Sequence, residues 1–381
     1  MMKRKITHII TGLNTGGAER SLYNLLLLSS DSEFEHIVIS LLDEGTYGAK
    51  IRDLGVAVFC LNLKNRPHNL FFQLPRILRK NHPKIIQGWM YHGNVLAFFA
   101  RLFIIPNSRL CWNIRHGLHA FSNEKLKTRW LVRLGAWLSS YVNIVIFNSR
   151  TSKLQHAAIG FHDKNTHVIP NGFDTQQYHP SKKHRMSILE GLSIPQDSKI
   201  VGHVGRYHPD KGHEAFLNAI LPIVAKDNGT HALMIGKSVE YCNDDLASKI
   251  PKELGSKIHL LGERNDIAKL LTVIDVFVQS SRTEAFPNAL GEAMCAGIAC
   301  VATDVGDSSL ILGMQELIVD PNDVKAIQEK TQKLLISTED CERFGQVARE
   351  RILRHYTLRK MFIKYECVYL CLTKTKNSAK K

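Results

Sequence analysis

Short apolar runs that predict β-strands alternate with helix-like segments along almost the whole chain of 381 residues. The predicted strands are rich in β-branched residues and nearly all apolar, which is typical of parallel strands covered on both faces. They lie at residues 6–13, 36–42, 56–63, 85–89, 110–115, 143–147 and 167–169, and then at 200–204, 232–235, 258–261, 276–280 and 299–303. This alternation predicts doubly wound α/β sheets.

One polar stretch interrupts the alternation and divides the chain in two. Residues 176–198 contain Pro180, Pro195 and a basic cluster, and we interpret them as a linker. The predicted parts are a Rossmann-like domain at 1–175, a second one at 199–355, a C-terminal helix at 356–373 and a basic tail at 374–381. Two such domains would form a cleft between the carboxyl ends of their strands, where open α/β sheets bind ligands.

The composition is that of a globular protein with a large positive charge. Hydrophobic residues make up 44% and charged residues 22% of the chain, which excludes a disordered chain, a collagen and a disulfide-rich miniprotein. Lys and Arg number 50 and Asp and Glu 35, giving a formal net charge of +15. An excess of this size indicates an anionic partner: nucleic acid, a membrane surface or a phosphorylated ligand.

The cysteines and the apolar runs indicate a cytoplasmic protein. None of the eight cysteines forms a CxxC pair or a zinc-ligand spacing, so we expect free core cysteines and a reducing compartment. The apolar run after the basic start breaks at Asn14, so we expect a first strand rather than a signal peptide. The most membrane-like stretch, 95–105, has about half the ~20 residues that a spanning helix needs.

Two loops have the composition to hold an anion. Gly16 and Gly17 join the first predicted strand to a helix, where free N–H groups and a bare backbone can approach a phosphate; a simple tight turn is the alternative. Their spacing is not that of the GxGxxG dinucleotide motif. Arg206 and Lys211 follow the strand at 200–204, where a guanidinium and an ammonium can clamp a pyrophosphate, unless both are merely solvated.

A third loop carries two carboxylates, Glu284 and Glu292. Glu284 follows the strand at 276–280, and Glu292 lies in the second turn of a helix predicted to begin near Asn288. Carboxylates can bind a polyhydroxylated ligand while the N–H groups of a helix start hold a phosphate. The alternatives are a solvated loop and a surface helix, but Glu292 stands among apolar residues, where a carboxylate needs a partner.

Glu284 and Glu292, with seven residues between them, match the EX7E motif of retaining GT-B glycosyltransferases. The chain as a whole resembles the large group 4 family of nucleotide-sugar-dependent enzymes, which serves bacterial surface-polysaccharide assembly. Four further segments are similar to its hallmarks, namely 16–20, 170–174, 205–212 and 302–306. The resemblance covers about residues 5–365 and implies a GT-B fold, in which two Rossmann-like doubly wound α/β domains face a central cleft.

The resemblance also implies roles for individual residues. Glu292 would bind the ribose hydroxyls, Glu284 the transferred sugar, and Arg206 and Lys211 the diphosphate. The catalytic residues it implies are Glu284, His116, Arg206 and Lys211. The nucleotide-sugar-binding residues it implies are Gly16, Gly17, Arg206, Lys211, Arg264, Glu284, Ala285, Phe286, Asn288, Ala289 and Glu292. It makes His92 an acceptor contact, in the first domain.

The chemistry of glycosyl transfer agrees with this set. Negative charge develops on the departing diphosphate and must be stabilised by a metal or by fixed cations and dipoles. The chain has no Asp-x-Asp triplet, so we expect no metal and no cofactor, with Arg206, Lys211 and the helix start acting instead. The expected donor is a nucleotide sugar, with UDP favoured over GDP, carrying a hexose or N-acetylhexosamine. By resemblance, the sugar is transferred with retention of configuration.

The positive charge is concentrated in the first half of the chain. Residues 1–180 carry a net +12, which leaves +3 for the rest. Two predicted helices there combine apolar and basic residues, as membrane-surface helices do. Their apolar residues are Leu70, Phe71, Leu74, Ile77 and Leu78 in one, and Leu126, Trp130, Leu131, Leu134, Trp137 and Leu138 in the other. Packing of both stripes on the sheet is the open alternative.

The sequence thus predicts a glycosyltransferase of polysaccharide or lipopolysaccharide assembly, acting on a saccharide or lipid-linked acceptor. We expect it in the cytoplasm, peripheral on the inner face of the plasma membrane, with no nucleic-acid partner. A GT-B nucleotide-sugar epimerase is the nearest alternative. A non-enzymatic nucleic-acid binder would explain the charge but lacks a binding motif. A dinucleotide-dependent dehydrogenase would explain the paired α/β domains but lacks GxGxxG.

Overall fold

The computed structural model describes residues 3–119, 121, 125–181 and 183–374 of the chain. The chain divides into two compact units. Unit 1 comprises Met1–Gly172 together with Leu358–Lys381, and unit 2 comprises Phe173–Thr357. Each unit is built on its own parallel sheet.

Unit 1 contains, within the described residues, a seven-stranded sheet in the order β3-β2-β1-β4-β5-β6-β7. Every neighbouring pair is parallel. Its elements are β1 (Arg4–Ile10), α1 (Gly17–Leu27), β2 (Phe34–Ser40), α2 (Gly45–Asp53), β3 (Ala57–Cys60), α3 (Gln73–Asn81), β4 (Ile85–Trp89), α4 (Met90–Phe103), β5 (Arg109–Ile114), α5 (Leu126–Ser139), β6 (Ile144–Phe147), α6 (Arg150–Ala158), β7 (Thr166–Val168) and α15 (Leu358–Thr373).

Unit 2 contains, in the part of it that is described, a six-stranded parallel sheet in the order β10-β9-β8-β11-β12-β13. Its elements are α7 (Arg185–Gly191), β8 (Lys199–Val204), α8 (His213–Lys226), β9 (Thr230–Ile235), α9 (Asp244–Ala247), β10 (Ile258–Leu260), α10 (Ile267–Leu271), β11 (Val276–Gln279), α11 (Asn288–Cys295), β12 (Ala299–Thr303), α12 (Ser308–Leu312), β13 (Ile318–Val319), α13 (Val324–Ile336) and α14 (Thr338–His355).

The prediction of two doubly wound α/β domains is confirmed. The predicted strands at 85–89 and 299–303 coincide with β4 and β12, and the other predicted strands overlap observed strands. All residues of β4 and β12 are buried, which explains why their sequences are continuous apolar runs. The sequence analysis missed β13, because a strand of two residues has no readable period.

The linker expected at 176–198 differs from the structure, in which this segment is part of unit 2. Tyr178, Leu189 and Ile194 are buried in the core of unit 2, and α7 lies in the middle of the segment. Arg185, from the basic cluster, donates to both carboxylate oxygens of Asp275 at 3.2 Å. The segment is ordered by these contacts, so it is not a spacer. Lys182 lies outside the described residues.

The helix expected at 356–373 is observed as α15, and it packs on unit 1. Its buried side chains include Phe362 and Tyr369, which join the core formed with β1 and β2. The chain therefore leaves unit 1 after Gly172 and returns to it at Leu358. Of the expected basic tail, 375–381 lie outside the described residues.

A buried polar network fastens α15 to the carboxyl ends of β4 and β5. The hydroxyl of Tyr365 accepts hydrogen bonds from Asn113 Nδ2 at 2.6 Å and from Arg115 Nη1 at 3.0 Å. The hydroxyl of Tyr369 donates to Gln87 Oε1 at 2.5 Å. Burial lowers the pKa of Arg115, whose guanidinium also lies 5.8 Å from the centre of the Trp89 ring. These bonds fix the loop that carries His116.

All eight cysteines are free, as expected. The expectation that they lie in the core is wrong for Cys242, Cys367 and Cys371, which are exposed. Among the helices in the described ranges, none has both the length and the apolar character needed to cross a membrane.

Replacing Tyr365 by Phe should destabilise unit 1. The change removes the buried acceptor of Asn113 Nδ2 and the nearer of the two acceptors of Arg115 Nη1, which costs about 1–3 kcal/mol. All four tryptophans lie in unit 1, so urea unfolding followed by tryptophan fluorescence measures this unit alone. Tyr23→Phe, at a half-buried tyrosine of α1, is the control. Equal unfolding midpoints for the two variants would contradict the role given to the Tyr365 hydroxyl.

Candidate active site

The strand order of unit 2 creates a crevice between β8 and β11. From β8 the chain proceeds to β9 and β10 on one side of the sheet, and then crosses to β11 on the other side of β8. The loops that follow β8 and β11 therefore lead to strands on opposite sides of the sheet, and such a switch point is where open α/β sheets bind ligands. Arg206 and Lys211 lie in the first loop and Glu284 in the second.

An ion pair joins these two loops. Lys211 Nζ lies 2.5 Å from Glu284 Oε1, although the residues are 73 positions apart in sequence. Ser281 Oγ donates to the same carboxylate oxygen at 3.0 Å. The side chains of Lys211 and Glu284 are 27% and 14% exposed, so the pair is largely shielded from water but still accessible. The structure thus brings together the cation and the carboxylate that the sequence analysis selected separately.

Hydrogen bonds to backbone carbonyls hold the two loops together. The N–H of Arg282 donates to the carbonyl of Asp210 at 2.7 Å, and Ser280 Oγ donates to the carbonyl of Gly212 at 2.9 Å. Gly212 has a φ of +66°, and a Cβ there would collide with the backbone of Ser280. Only glycine allows this approach, so the position of Lys211 depends on its neighbour.

The loop that follows β12 supports Glu284 from the other side. Thr303 Oγ1 donates to the carbonyl of Ser281 at 2.6 Å, and the N–H of Asp307 donates to the carbonyl of Ala285 at 3.2 Å. Gly306 has a φ of +58° and lies directly against the carbonyls of Glu284 and Ala285. The backbone around Glu284 is therefore held from both sides.

Helix α11 places Glu292 beneath this loop. Glu292 is only 5% exposed and lies in the second turn of the helix, as predicted. The helix is positioned by Phe173, whose ring fills the space beside Gly291 and stacks on Phe286 with ring centres 6.1 Å apart. The side chain of Phe286 is therefore part of the core, and only its backbone is available to a ligand.

The remaining residues of unit 2 that the resemblance assigns to nucleotide-sugar binding lie at the same edge of the sheet. Ala285, Asn288 and Ala289 are half-buried around the start of α11. Arg206 is exposed, directly beyond Gly205 at the end of β8. Arg264 is exposed in the loop after β10, and its guanidinium forms two 2.8 Å hydrogen bonds with Asp266, which raise the pKa of Arg264. The charge of Arg264 is thus already balanced within its own loop.

Unit 1 carries the other predicted site residues, and they too lie beyond the ends of strands. Gly16 precedes α1 and Gly17 is its exposed first residue; a Cβ on Gly16 would meet the carboxylate of Glu19. His116 is half-buried just after β5, and its ring lies edge-on to that of Tyr91 with ring centres 6.3 Å apart. His92 is exposed in the first turn of α4.

A pair of buried histidines lies under the loop that carries Arg206 and Lys211. Their ring centres are 4.7 Å apart; His203 Nδ1 donates to the carbonyl of Val278 at 3.0 Å, and His213 Nε2 donates to the carbonyl of Gly205 at 3.1 Å. Burial lowers the pKa of His203 to about 3 and that of His213 to about 4. Both rings are therefore neutral at pH 7 and act as fixed hydrogen-bond donors.

Sequence reasoning missed several supporting residues. Ser281 lies three residues before Glu284, and nothing in the sequence pattern shows that its hydroxyl binds Glu284. The histidine pair gave no signal, because two histidines ten positions apart have no characteristic spacing. Within the described residues, no three His, Cys, Asp or Glu side chains are grouped so that they could hold a metal ion.

Two family models match the chain, one in each unit. The model described as Glycosyltransferase Family 4 matches residues 15–177, and the model described as Glycosyl transferases group 1 matches residues 198–337. Among curated proteins, the putative glycosyltransferase EpsF of Bacillus subtilis is 24% identical over 307 residues, which is 79% of each chain. An Escherichia coli UDP-Gal:alpha-D-GlcNAc-diphosphoundecaprenol alpha-1,3-galactosyltransferase is 21% identical over 337 residues, which is 84% of each chain.

Solved structures share the fold along nearly the whole chain. Anabaena Alr3699/HepE, in complex with UDP and glucose, superposes with a TM-score of 0.82 at 19% identity, covering 97% of this chain and 100% of that one. TarM superposes with a TM-score of 0.76 at 15% identity, covering 98% and 99%.

The two Rossmann-like units and these superpositions define a GT-B fold, which the resemblance implied. Together with the relatives and the family models, they identify the protein as a glycosyltransferase. The matches support its assignment to the group 1 and family 4 enzymes.

Acidification should destabilise the protein, in part through the histidine pair of unit 2. Burial also lowers the pKa of other histidines that add to the effect, namely His8, His36, His156 and His259. In the unfolded chain, both histidines of the pair take up protons below pH ~6.5. In the folded protein, His203 and His213 take them up only near pH 3 and pH 4. Stability is therefore fully present above pH ~6.5 and falls as the pH drops towards 4, by up to ~1.4 kcal/mol per pH unit for each ring. The free energy of unfolding, measured with urea and far-UV circular dichroism, should decrease accordingly.

The variant His213→Gln tests the source of this pH dependence. A glutamine amide can donate to the carbonyl of Gly205 but does not titrate, so the loss of stability between pH 7 and pH ~4.5 should shrink. His68→Gln, at an exposed histidine, is the control. A pH dependence identical in both variants would show that His213 is not responsible.

Proposed function

We propose that the protein transfers a hexose or an N-acetylhexosamine from a nucleotide sugar to a saccharide or lipid-linked acceptor, with retention of configuration and without a metal ion. The observation that carries this proposal is the Lys211–Glu284 ion pair at the switch point of unit 2, beside the start of α11. It offers a cation for a diphosphate, a carboxylate for sugar hydroxyls and the N–H groups of a helix start, all in one crevice.

Each donor-site residue then has one role. Arg206 and Lys211 bind the diphosphate, and because an ammonium has three N–H groups, Lys211 can hold a phosphate oxygen while still donating to Glu284. Glu284 and the backbone N–H groups of Ala285, Phe286 and Asn288 bind the sugar, and the buried Glu292 binds the ribose hydroxyls. For unit 1 we propose, from the resemblance alone, that Gly16 and Gly17 bind phosphate, His116 the sugar and His92 the acceptor. Arg264 approaches the base.

The reaction exchanges one bond at the anomeric carbon for another. The bond from C1 to the β-phosphate oxygen breaks, and a bond from C1 to the acceptor oxygen forms on the same face. The acceptor hydroxyl gives its proton to the departing phosphate oxygen. Arg206, Lys211 and the α11 start stabilise the charge that develops on that oxygen, and this is the contribution that would otherwise fall to a metal.

The relatives favour a uridine nucleotide and a lipid-linked acceptor. HepE was solved with UDP and glucose, and the E. coli relative is named for transfer from UDP-Gal to a diphosphoundecaprenol-linked sugar. Another relative is the LpsB mannosyltransferase of Rhizobium meliloti, named for lipopolysaccharide core biosynthesis. We therefore propose a UDP-sugar donor and a role in polysaccharide or lipopolysaccharide assembly, at the inner face of the plasma membrane.

The substitution Lys211→Met should slow transfer by roughly a hundredfold to a thousandfold. This is the effect of removing one preorganised donor, about 2.7–4 kcal/mol, from a charge that develops in the transition state. Initial rates with a set of UDP- and GDP-sugars and a lipid-linked acceptor measure it. Lys226→Met, at an exposed lysine at the end of α8, is the matched control. A normal rate for Lys211→Met would remove Lys211 from the site.

A chelator should leave the transfer rate unchanged, because fixed cations rather than a metal neutralise the leaving group. Initial rates with and without EDTA test this, and a magnesium-dependent transferase assayed in parallel verifies the chelation. Proton NMR of the product from an α-linked donor should show an α-linkage. A chelator-sensitive rate or a β-linked product would contradict the proposed mechanism. Conversion of the donor sugar without any acceptor would indicate an epimerase.

A further inference from the structure

Most of the apolar stripe of α5 points away from the core of unit 1. Trp130 and Trp137 are 71% and 67% exposed, and Leu126 is 70% exposed. The helix packs on its unit through another face, which contains Val132 and Ala136. Packing on the sheet, which the sequence left open, therefore accounts for the buried Leu138 of this stripe but not for its exposed residues. In the other stripe it accounts for Leu74, Ile77 and Leu78 of α3, which are buried, but not for Phe71, which precedes α3 and is exposed.

Helix α4 extends the exposed apolar surface. Phe99 and Phe103 stack with ring centres 6.2 Å apart, and Phe98 links Phe99 to Tyr141, which in turn contacts Trp137. We call this surface the aromatic face. It consists of Phe99, Leu102 and Phe103 of α4, Leu126, Trp130, Leu134 and Trp137 of α5, and Tyr141. Contiguous apolar surfaces of this kind are rare on monomeric soluble proteins and mark interaction sites.

The surroundings of the aromatic face are strongly basic. Lys125, directly before α5, and Lys127 and Arg133 of α5 are exposed, and α4 contributes the half-buried Arg101. Between Asp53 and Asp163 the sequence has 15 Lys and Arg residues and a single carboxylate. A partner for this surface must therefore be apolar in its interior and negatively charged at its boundary.

We propose that the aromatic face docks on an anionic phospholipid bilayer. Trp and Tyr are amphipathic rings that favour the headgroup region, and the flanking cations attract acidic lipids. A second copy of the chain fits less well, since a symmetric contact would bring the same cations together. This docking is independent of the reaction proposed above, and it brings unit 1 to the surface that holds a lipid-linked acceptor.

Flotation with vesicles tests the proposal directly. The full-length protein should float with vesicles of phosphatidylcholine mixed with phosphatidylglycerol, and much less with phosphatidylcholine alone. The double variant W130S/W137S should bind the anionic vesicles at least about tenfold more weakly, because two large rings no longer enter the headgroup region. I336S, at an isoleucine of unit 2 that is 73% exposed, is the matched control and should float like the wild type.

A charge-reversal variant tests the electrostatic part separately. Each basic residue at an anionic surface contributes about fivefold in binding, so K127E/R133E should lower vesicle binding by more than about tenfold. K226E, which reverses an exposed lysine in unit 2, is the control. Far-UV circular dichroism and thermal unfolding establish whether each variant is folded. If W130S/W137S does not fold, the vesicle binding of K127E/R133E alone tests the proposal.

Tryptophan fluorescence gives an independent readout. Trp89 and Trp112 are fully buried, so quenching by brominated lipids in the vesicles should come from Trp130 and Trp137. The proposal is overturned if the wild type does not float, if the variants float like the wild type, or if the indoles are not quenched. If the wild type does not bind vesicles but forms dimers by light scattering, and W130S/W137S abolishes these dimers, the aromatic face binds a second copy of the chain instead. None of these measurements requires the enzyme to be active.

Discussion

The ion pair between Lys211 and Glu284 joins the two loops of unit 2 on which the proposed donor site depends. A carboxylate that is only 14% exposed needs a partner, and the partner comes from the loop on the other side of the switch point. The pair holds only because both loops are fixed by backbone hydrogen bonds and because Gly212 allows the chains to meet. The crossover of the parallel sheet thus places the two loops side by side, and the contacts between the loops position the ion pair.

The architecture could be predicted from the sequence because buried strands and the helices between them leave different patterns of apolar residues. Buried parallel strands such as β4 and β12 are continuous apolar runs, and the helices between them complete the pattern. The segment 176–198 was misjudged because its buried residues, including Tyr178 and Leu189, are isolated in polar sequence. Burial there depends on contacts with the distant β11 region, such as that of Arg185 with Asp275, which no local pattern reports.

The site was predictable as a set of residue types but not as a set of partners. The motif and its resemblance to a family selected Glu284 and Lys211, but a motif contains no distances. Only the structure shows that Lys211 and Ser281 both contact Glu284. The apolar stripe of α5 shows a second feature that the sequence could not predict. An apolar helix face has the same period whether it meets the core or the solvent, so only the structure could show that Trp130 and Trp137 face outwards.

The return of α15 to unit 1 has a consequence for biosynthesis. The ribosome makes the chain from its N-terminus, so every residue of unit 2 is synthesised before Tyr365 and Tyr369 exist. Until then, Asn113 and Arg115 lack the hydroxyl that satisfies them, and the face of unit 1 that α15 covers is open. Unit 2 can therefore complete its fold first, and unit 1, although it begins the chain, is the last to close.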